Sequence, residues 1–577
     1  MTPVAGRQGN EIVCRTLEAL GVGCVFGVPG TQNVGLFEAL RRSALRTVLA
    51  THELGAAFMA NGYYRASGKV GVLATIPGPG FAYALAGLAE ARHDSAGVLH
   101  ITGLPSRSPT NRYQLQHLEQ ASIAGPLVKA VFDVDRPDRI AAVVTEAYDL
   151  AGAGEPGPVL VQIDAEATAS VAQSAEPVPT PTAPPAAPGA ALLDQLADRL
   201  AAARRPVIFA GQGAAGAARE LLQLVEGRSM PVLTTPSGRG VIPEDHPFAL
   251  CFESQRGDVA AVNEMLETSD LVLAVGCKLA HNGTVGFGLH LPPDRLVRVN
   301  TDSTALPEHY PASLVLHLPA EMVLSHLLHS AKRPAAGWDV SEVARWRDRF
   351  QAPGAGQLPE PVIHGVDGGT PAAFFSALRR ALPRDGILVT DSGHHQVLAR
   401  RHLAVLAPRG LILPSDFQSM GFGLPAAIGA KLAAPERPVV AVIGDGGLLM
   451  AGMELVTAVQ ERVPLTVIVF NDGQLGQIRL QQYREFGHTQ AVQLAVPDLE
   501  TLAAALGLSY VRLTSDAEAA LRKAIASPAP TLVEVPVGDS PAIRLLRAKS
   551  LAKESARSLL GPRVVAWLKR RLRPSAV

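Results

Sequence analysis

The chain has 577 residues, so the prior is about three or four domains, each able to bury its own core. Lysine plus arginine (52) balances aspartate plus glutamate (52), which removes any whole-chain electrostatic case for a nucleic-acid partner. With 47% hydrophobic and 18% charged residues, the chain is not disordered overall, and 54 glycines and 45 prolines predict many tight turns. Cys14, Cys24, Cys251 and Cys277 form no CxxC pair and no finger spacing, which predicts a reducing compartment rather than a disulfide scaffold. The start of the chain lacks a signal-peptide layout, and no apolar run reaches the roughly 18 residues of a transmembrane span. The expectation is a cytoplasmic α/β protein.

In chain order the strand candidates are CVFGVPG, VGVLATI, AGVLHITG and PVLVQIDA, then PVIFAG, LVLAVG and LVRVNTD, then GILVTD, VVAVIGD, LTVIVFND and TLVEVPV. Such continuous apolar runs are buried on both faces, hence parallel, and their alternation with Ala/Leu-rich helical stretches predicts doubly wound units. Residues 174–189, SAEPVPTPTAPPAAPG, are too rich in proline for a core element. A second break runs over 336–367. The expected units are 1–173, a linker at 174–189, 190–335, a linker at 336–367, 368–540, and a tail at 541–577. The tail carries ten Lys/Arg against Glu554 around leucines, Val564, Val565 and Trp567. It reads either as a basic amphipathic helix for a membrane, an acidic partner or a CoA-like anion, or as an arm packed on the protein with its charges solvated.

Chemistry concentrates in the third unit. A strand ends at Gly444-Asp445-Gly446-Gly447, a helical stretch follows, and the next strand ends at Asn471-Asp472-Gly473. Open α/β sheets bind ligands at the carboxyl ends of their strands. Glycines let backbone approach an anion, the following helix offers N–H groups to phosphate, and Asp445 and Asn471 supply hard oxygen ligands suited to Mg²⁺. This GDG…ND frame resembles the thiamine-diphosphate motif, and the chain is similar to the superfamily of acetolactate synthases and 2-oxo-acid decarboxylases.

The resemblance covers nearly the whole chain to about residue 540. It implies three doubly wound parallel-sheet domains, pyrimidine-binding, middle and diphosphate-binding in that order. It implies Asp445, Asn471 and the Gly473 carbonyl as magnesium ligands, with Gly446 and Gly447 against the cofactor. In the first unit, Val28-Pro29-Gly30, then Thr51-His52-Glu53 through Asn61-Gly62-Tyr63, then Ile76-Pro77-Gly78-Pro79-Gly80 match the family frame. There Glu53 contacts N1′ of the aminopyrimidine, and Pro29 and Gly30 belong to the cofactor site. A carboxyl in an apolar pocket has its neutral form favoured, so Glu53 can share a proton with that nitrogen as an acid–base group. Ser415 through Pro425 resembles the segment ending in MGFGLP, with Met420 as the hydrophobic pivot that bends the cofactor. Gly393-His394-His395-Gln396 resembles a diphosphate-binding G-Q-H-Q stretch, with His394 in place of Gln.

The resemblance further implies that Glu53 of one subunit meets the metal site of another, in a homodimer or homotetramer. Simple decarboxylases carry adjacent histidines 63 residues after the activating glutamate, where this chain has Gln116-His117. Synthases carry Phe-Gln where this chain has Leu115-Gln116. Gln116 leans towards ligation, with Gln116 and His117 as substrate-facing residues. Gln481 replaces a tryptophan of synthases, and Val275 through Gly283 replaces their ARFDDR stretch. Leu475, Arg479 and Gln482 complete the expected pocket, Arg479 meeting a substrate carboxylate or forming a surface ion pair. Phe209 through Gly216 spells GxGxxG after a strand, but the next strand ends without the acidic residue a ribose needs. In synthases this domain can hold FAD; otherwise its glycines serve packing.

The expected activity is decarboxylation of a 2-oxo acid of the pyruvate type, with transfer of the acyl-anion equivalent to a carbonyl acceptor. The rivals are a non-ligating decarboxylase or C–C lyase and, from another class, a catalytically silent binding protein of this fold.

Overall fold

The computed structural model describes residues 7–105, 114–172, 190–252, 259–302, 309–330, 337–351 and 357–552. Each of the three domains is built on one main sheet. The first has six parallel strands in the order Arg46–Leu49, Cys24–Gly27, Gly71–Thr75, Val98–Leu104, Pro158–Asp164, Val131–Val134. The middle sheet also has six, in the order Ala249–Leu250, Val232–Thr234, Pro206–Ala210, Leu271–Val275, Leu296–Val299, Leu314–Leu316. The third runs Val362–Ile363, Thr531–Gly538, Thr466–Asn471, Val439–Gly444, Ile387–Thr390, Leu411–Ile412, with Ser509–Arg512 also beside Thr531–Gly538. Only its edge strand Val362–Ile363 is antiparallel.

Each sheet has a reversal of chain order between two parallel neighbours, which opens a crevice at the carboxyl ends of those strands. In the first domain the crevice lies between Cys24–Gly27 and Gly71–Thr75, in the middle one between Pro206–Ala210 and Leu271–Val275, and in the third between Ile387–Thr390 and Val439–Gly444. The three glycine-bearing turns read from the sequence, at 28–30, 211–216 and 444–447, all leave strands at these reversals.

The first and third domains share a core. Helix Glu53–Ser67 lies against helix Gly423–Ala433, and Phe58, Met59, Ala426, Ala427 and Ile428 are buried together. Close approach requires the two glycines at the crossing: a Cβ on Gly62 would overlap the Ala426 carbonyl, and one on Gly429 the Met59 carbonyl. The middle domain has a separate core.

The stretch 336–367, expected as a linker, carries helix Val340–Gln351, and Trp338, Val343, Trp346 and Phe350 enter the middle domain's core. Residues 541–552 are helical; Ile543 is buried and Ser550 Oγ donates to the Tyr483 carbonyl at 2.7 Å, so this part of the tail is packed on the third domain. The linker 174–189 and residues 553–577 of the tail lie outside the described residues. Among the described residues no helix is long and apolar enough to cross a membrane.

Candidate active site

At the reversal of the third sheet lies a cavity of about 540 Å³. Its walls include Ser392 to His395 from one strand end, Gly444 to Gly447 from the next, Met420, and Asp472 with Leu475 to Leu480. Asp445 opens a short helix and is almost fully buried. Its Oδ1 accepts the Gly446 N–H at 2.8 Å, and its Oδ2 accepts those of Asp472 at 3.2 Å and Gly473 at 2.6 Å. Burial pushes its carboxyl up and, together with Asp445, lifts that of neighbouring Asp472 to about 7. Asn471 donates from Nδ2 to Glu534 Oε1 at 3.0 Å, which fixes the amide with Oδ1 on the opposite side of Cγ. Gly473 stands at φ +67°, and its carbonyl accepts the Leu494 N–H at 2.9 Å.

The neighbouring wall is imidazole. Burial holds His394 down to about 4 and His395 to about 3, so both rings are neutral, and His395 Nε2 is buried without a hydrogen-bond partner. Gly446 keeps the floor open, since a Cβ there would sit 3.0 Å from Leu475 Cδ2 and 3.2 Å from Met420 Cε. Met420 and Leu475 therefore converge over Gly446. Arg479 is buried rather than at the surface and is held by Asp539 through both guanidinium Nη atoms, one of them at 3.1 Å. Its charge is neutralised within the protein. Gln482 exchanges two hydrogen bonds with the Gln490 backbone, at 3.2 and 2.9 Å, and neither it nor Gln481 is among the described lining residues.

A second cluster occupies the reversal of the first sheet. Glu53 opens helix Glu53–Ser67, capped by His52 Nδ1, which accepts the Leu54 N–H at 3.1 Å. The Glu53 side chain is buried, and its Oε1 lies 2.9 Å from the place a Cβ on Gly80 would take. Gly78 stands at φ +65° beneath Gln116, itself at φ +59°; a Gly78 Cβ would come within 2.6 Å of the Gln116 carbonyl oxygen. Gln116 Oε1 is buried without a partner. His117 is exposed, with Nε2 3.8 Å from Glu119 Oε1. Pro29 is exposed, and the Gly30 N–H donates to Asn33 Oδ1 at 2.7 Å. The structure thus gathers the expected residues into two separate clusters on one chain. None of Glu53, Gln116, His117, Pro29 or Gly30 is among the described residues lining the cavity that holds Asp445.

Three buried carboxylates escaped the sequence reading. Asp391, raised to about 7 by burial, accepts the Ser392 N–H at 2.7 Å and the Gly421 N–H at 3.0 Å, and a Cβ on Gly447 would overlap its Oδ2. It binds the turn after Met420 to the glycine turn, and its place at the end of GILVTD was a usable signal. Glu90, which burial and nearby Asp94 push well above the usual carboxylate range, accepts the Ser419 N–H at 2.8 Å, next to Met420. Glu454 is the third, and no local pattern marks either glutamate.

A parallel α/β crevice with a buried aspartate, a diglycine turn opening a helix, and an unpartnered imidazole defines a site for a diphosphate-bearing cofactor. The sequence matches the N-terminal TPP binding domain of thiamine pyrophosphate enzymes over residues 7–123, their central domain over 193–327, and their C-terminal TPP binding domain over 391–535. It is 30% identical to a probable acetolactate synthase large subunit of Methanocaldococcus jannaschii, with 93% of each chain covered. It is 31% identical to the acetolactate synthase isozyme 3 large subunit of Escherichia coli, over 87% of this chain and 88% of that one. With a probable 2-ketoarginine decarboxylase of Pseudomonas aeruginosa it shares 33%, over 83% and 84% of the two chains. The chain belongs to the thiamine pyrophosphate enzyme family.

Proposed function

We propose that this enzyme decarboxylates a 2-oxo acid of the pyruvate type and transfers the acyl-anion equivalent to a carbonyl acceptor, as the acetolactate synthase relatives suggest by name. The observation that carries the reading is the cavity itself. His395 Nε2, buried and unpartnered, and the side-chain-free floor at Gly446 and Gly447 fit the diphosphate of thiamine diphosphate. That cofactor supplies the carbanion chemistry. Asp445, Asn471 and the Gly473 carbonyl would hold Mg²⁺ against the diphosphate, since together they offer hard oxygen donors at one end of the cavity. Met420 and Leu475, which converge over Gly446, would bear on the cofactor there. Glu53 would exchange a proton with the aminopyrimidine N1′. Gln116 offers its unpartnered amide oxygen to a hydroxyl or N–H of the reacting species, with His117 beside it.

Because Glu53 and Asp445 lie in separate half-sites of one chain, the reading places a second copy across them. Exposed apolar side chains beside both half-sites support this: Met450 and Met453 follow the glycine turn, 62% and 57% exposed, and Tyr83 follows Gly78–Gly80, 53% exposed. Two donors of the GxGxxG turn of the middle domain are closed to the diphosphate of FAD. There the N–H groups of Gly211 and Gly213 are engaged by the Val275 and Gly276 carbonyls, at 2.9 and 3.0 Å. Gly211, Gly213 and Gly216 also line a cavity of about 870 Å³, and no step of the proposed reaction uses FAD.

A second reading, release of a free aldehyde, is favoured by Gln481, which stands where synthases carry a tryptophan, and by the decarboxylase relative. Incubation of the purified protein with thiamine diphosphate, Mg²⁺ and pyruvate, with and without 2-oxobutyrate or an aldehyde, tests both by NMR of the products. Acetolactate or another ligated product supports the first reading, and acetaldehyde alone the second. No consumption of pyruvate would overturn it as the donor.

A further inference from the structure

We propose that Gln120 and Gln162 are positioning residues that set the Gly78 turn and, through it, both Gln116 and Glu53. The inference rests on the reading that Gln116 meets substrate. Both side chains are 1% exposed, and together they form one string of hydrogen bonds. Gln162 Nε2 donates to Asp133 Oδ1 at 2.6 Å. Gln120 Nε2 donates to Gln162 Oε1 at 3.0 Å and to the Gly103 carbonyl at 3.1 Å. Gln120 Oε1 accepts the Gly78 N–H at 3.1 Å.

The polarity of this string is fixed at both ends. An ionised carboxylate only accepts, so Asp133 turns the Gln162 amide nitrogen towards itself. The Gln162 oxygen then faces Gln120, which must present its nitrogen inward and its oxygen to Gly78. A backbone N–H only donates, so the far end agrees. Neither amide can flip without leaving two like groups face to face. The string starts at an exposed carboxylate on strand Val131–Val134, crosses the buried strand Pro158–Asp164, and ends beneath the half-site.

What it holds is strained. Gln116 keeps a left-handed backbone, a conformation that persists for a non-glycine residue only where its surroundings over-determine it. The surroundings here are Gly78, on whose α-carbon the Gln116 backbone rests, and Gly78 is the residue whose N–H the string ends on. Two residues on, Gly80 faces the Glu53 carboxylate. One turn is therefore the common floor of the substrate-facing amide and the cofactor-facing acid. Two buried amides are a costly way to fill a core that Leu or Met would fill, and a unique orientation is what a satisfied polar network adds.

The test uses assembled enzyme saturated with thiamine diphosphate and Mg²⁺, comparing Gln120→Met, Asp133→Ala and Gln116→Ala with the parent. Asp133 is exposed, so its variant folds even where the buried one does not. Hydrogen exchange of peptides spanning 76–82 and 114–120 should speed up by about tenfold in Gln120→Met and by less in Asp133→Ala, while exchange elsewhere and cofactor affinity stay at the parent level. On the best 2-oxo acid of a panel, kcat/KM should fall about tenfold in Gln120→Met, and the ratio of ligated product to free aldehyde should shift in the same direction as in Gln116→Ala. Parent-like exchange in both peptides overturns the inference, as does a loss of rate that tracks cofactor loss alone. A shifted product ratio in Gln116→Ala with none in Gln120→Met overturns the inference and leaves the role of Gln116 standing. An unshifted ratio in Gln116→Ala overturns that role itself.

Discussion

Glu454 accepts the backbone N–H of His52 through Oε1 at 3.2 Å, a bond that joins the third domain to the residue preceding Glu53. Its Oε2 takes the Thr51 N–H at 3.2 Å and the Thr457 hydroxyl at 2.7 Å. The glutamate is fully buried and stands on the helix that follows the Asp445 turn, so one side chain ties the two half-sites of the same chain. Glu454→Ala removes the carboxylate that accepts the Thr51 and His52 N–H groups at a helix start and leaves a hole in the buried seam. The expected loss is about 2–4 kcal/mol, with Thr457→Val losing less because the hydroxyl is a minor partner. Chemical denaturation of both variants checks the order, and equal losses would count against Glu454 as the tie.

The helix crossing beneath it depends on two missing side chains. Gly429→Ala drives a methyl into the Met59 carbonyl, and Gly62→Ala does the same at Ala426. Neither obstacle is a flexible side chain, so the helices must separate and open the shared core. Each substitution should cost about 1–3 kcal/mol or more. By contrast Gly227→Ala, with open space around its Cβ and an exposed helix position, should be neutral or slightly stabilising. Thermal melts of the three variants test the ranking, and a tolerated Gly429→Ala would show that the crossing is looser than described.

His100 gives the first domain a defined pH dependence. The ring is fully buried, stacked on Phe81, with Nε2 2.8 Å from the Thr75 hydroxyl, and burial lowers it from 6.5 to about 3. The unfolded chain protonates this group below about pH 6.5 while the folded chain does not. Stability from the neutral ring is therefore fully present above that pH and lost as pH falls through the window down to about 3. Between about pH 7 and pH 5 the loss is about 2 kcal/mol. His100→Gln keeps a hydrogen-bonding group without the titration, so its stability should fall less over the same range. Parallel stability profiles for the two proteins would rule His100 out as the cause.

The sites that were readable in the sequence are those written in consecutive residues. Gly444–Gly447, Asn471–Gly473 and Gly78–Gly80 follow apolar runs, and a parallel sheet places such run ends at its ligand edge. The string from Gly78 through Gln120 to Gln162 was not readable, because each step spans 42 residues and only the strand order brings the amides together. Glu90 and Ser419 are 329 residues apart, and Glu454 and His52 are 402 apart. Nothing local distinguishes such acids from solvated helix residues. Helix Val340–Gln351 was hidden for a different reason. Val343, Trp346 and Phe350 have helical spacing, but proline- and glycine-rich stretches on either side masked it.

The two halves of the site should fail differently. Asp445 is fixed by three backbone N–H groups at the cavity floor, and replacing it with alanine frees those donors and removes the side chain proposed to hold Mg²⁺. Cofactor and metal should be lost together, with affinity for thiamine diphosphate falling by about a hundredfold or more. Glu53 lies in the other cluster and is not among the described residues lining the cavity of Asp445. Glu53→Gln keeps the size and hydrogen-bonding reach of the side chain but cannot exchange a proton at neutral pH. Affinity for thiamine diphosphate should therefore stay near the parent value while turnover drops by about 10²–10⁴, the usual worth of a positioned acid–base group. Calorimetric titration of each variant with the cofactor, alongside single-turnover rates, separates the cases. Retained holoenzyme in Asp445→Ala would overturn its role as a ligand, and near-parent turnover in Glu53→Gln would show that the proton moves by another route.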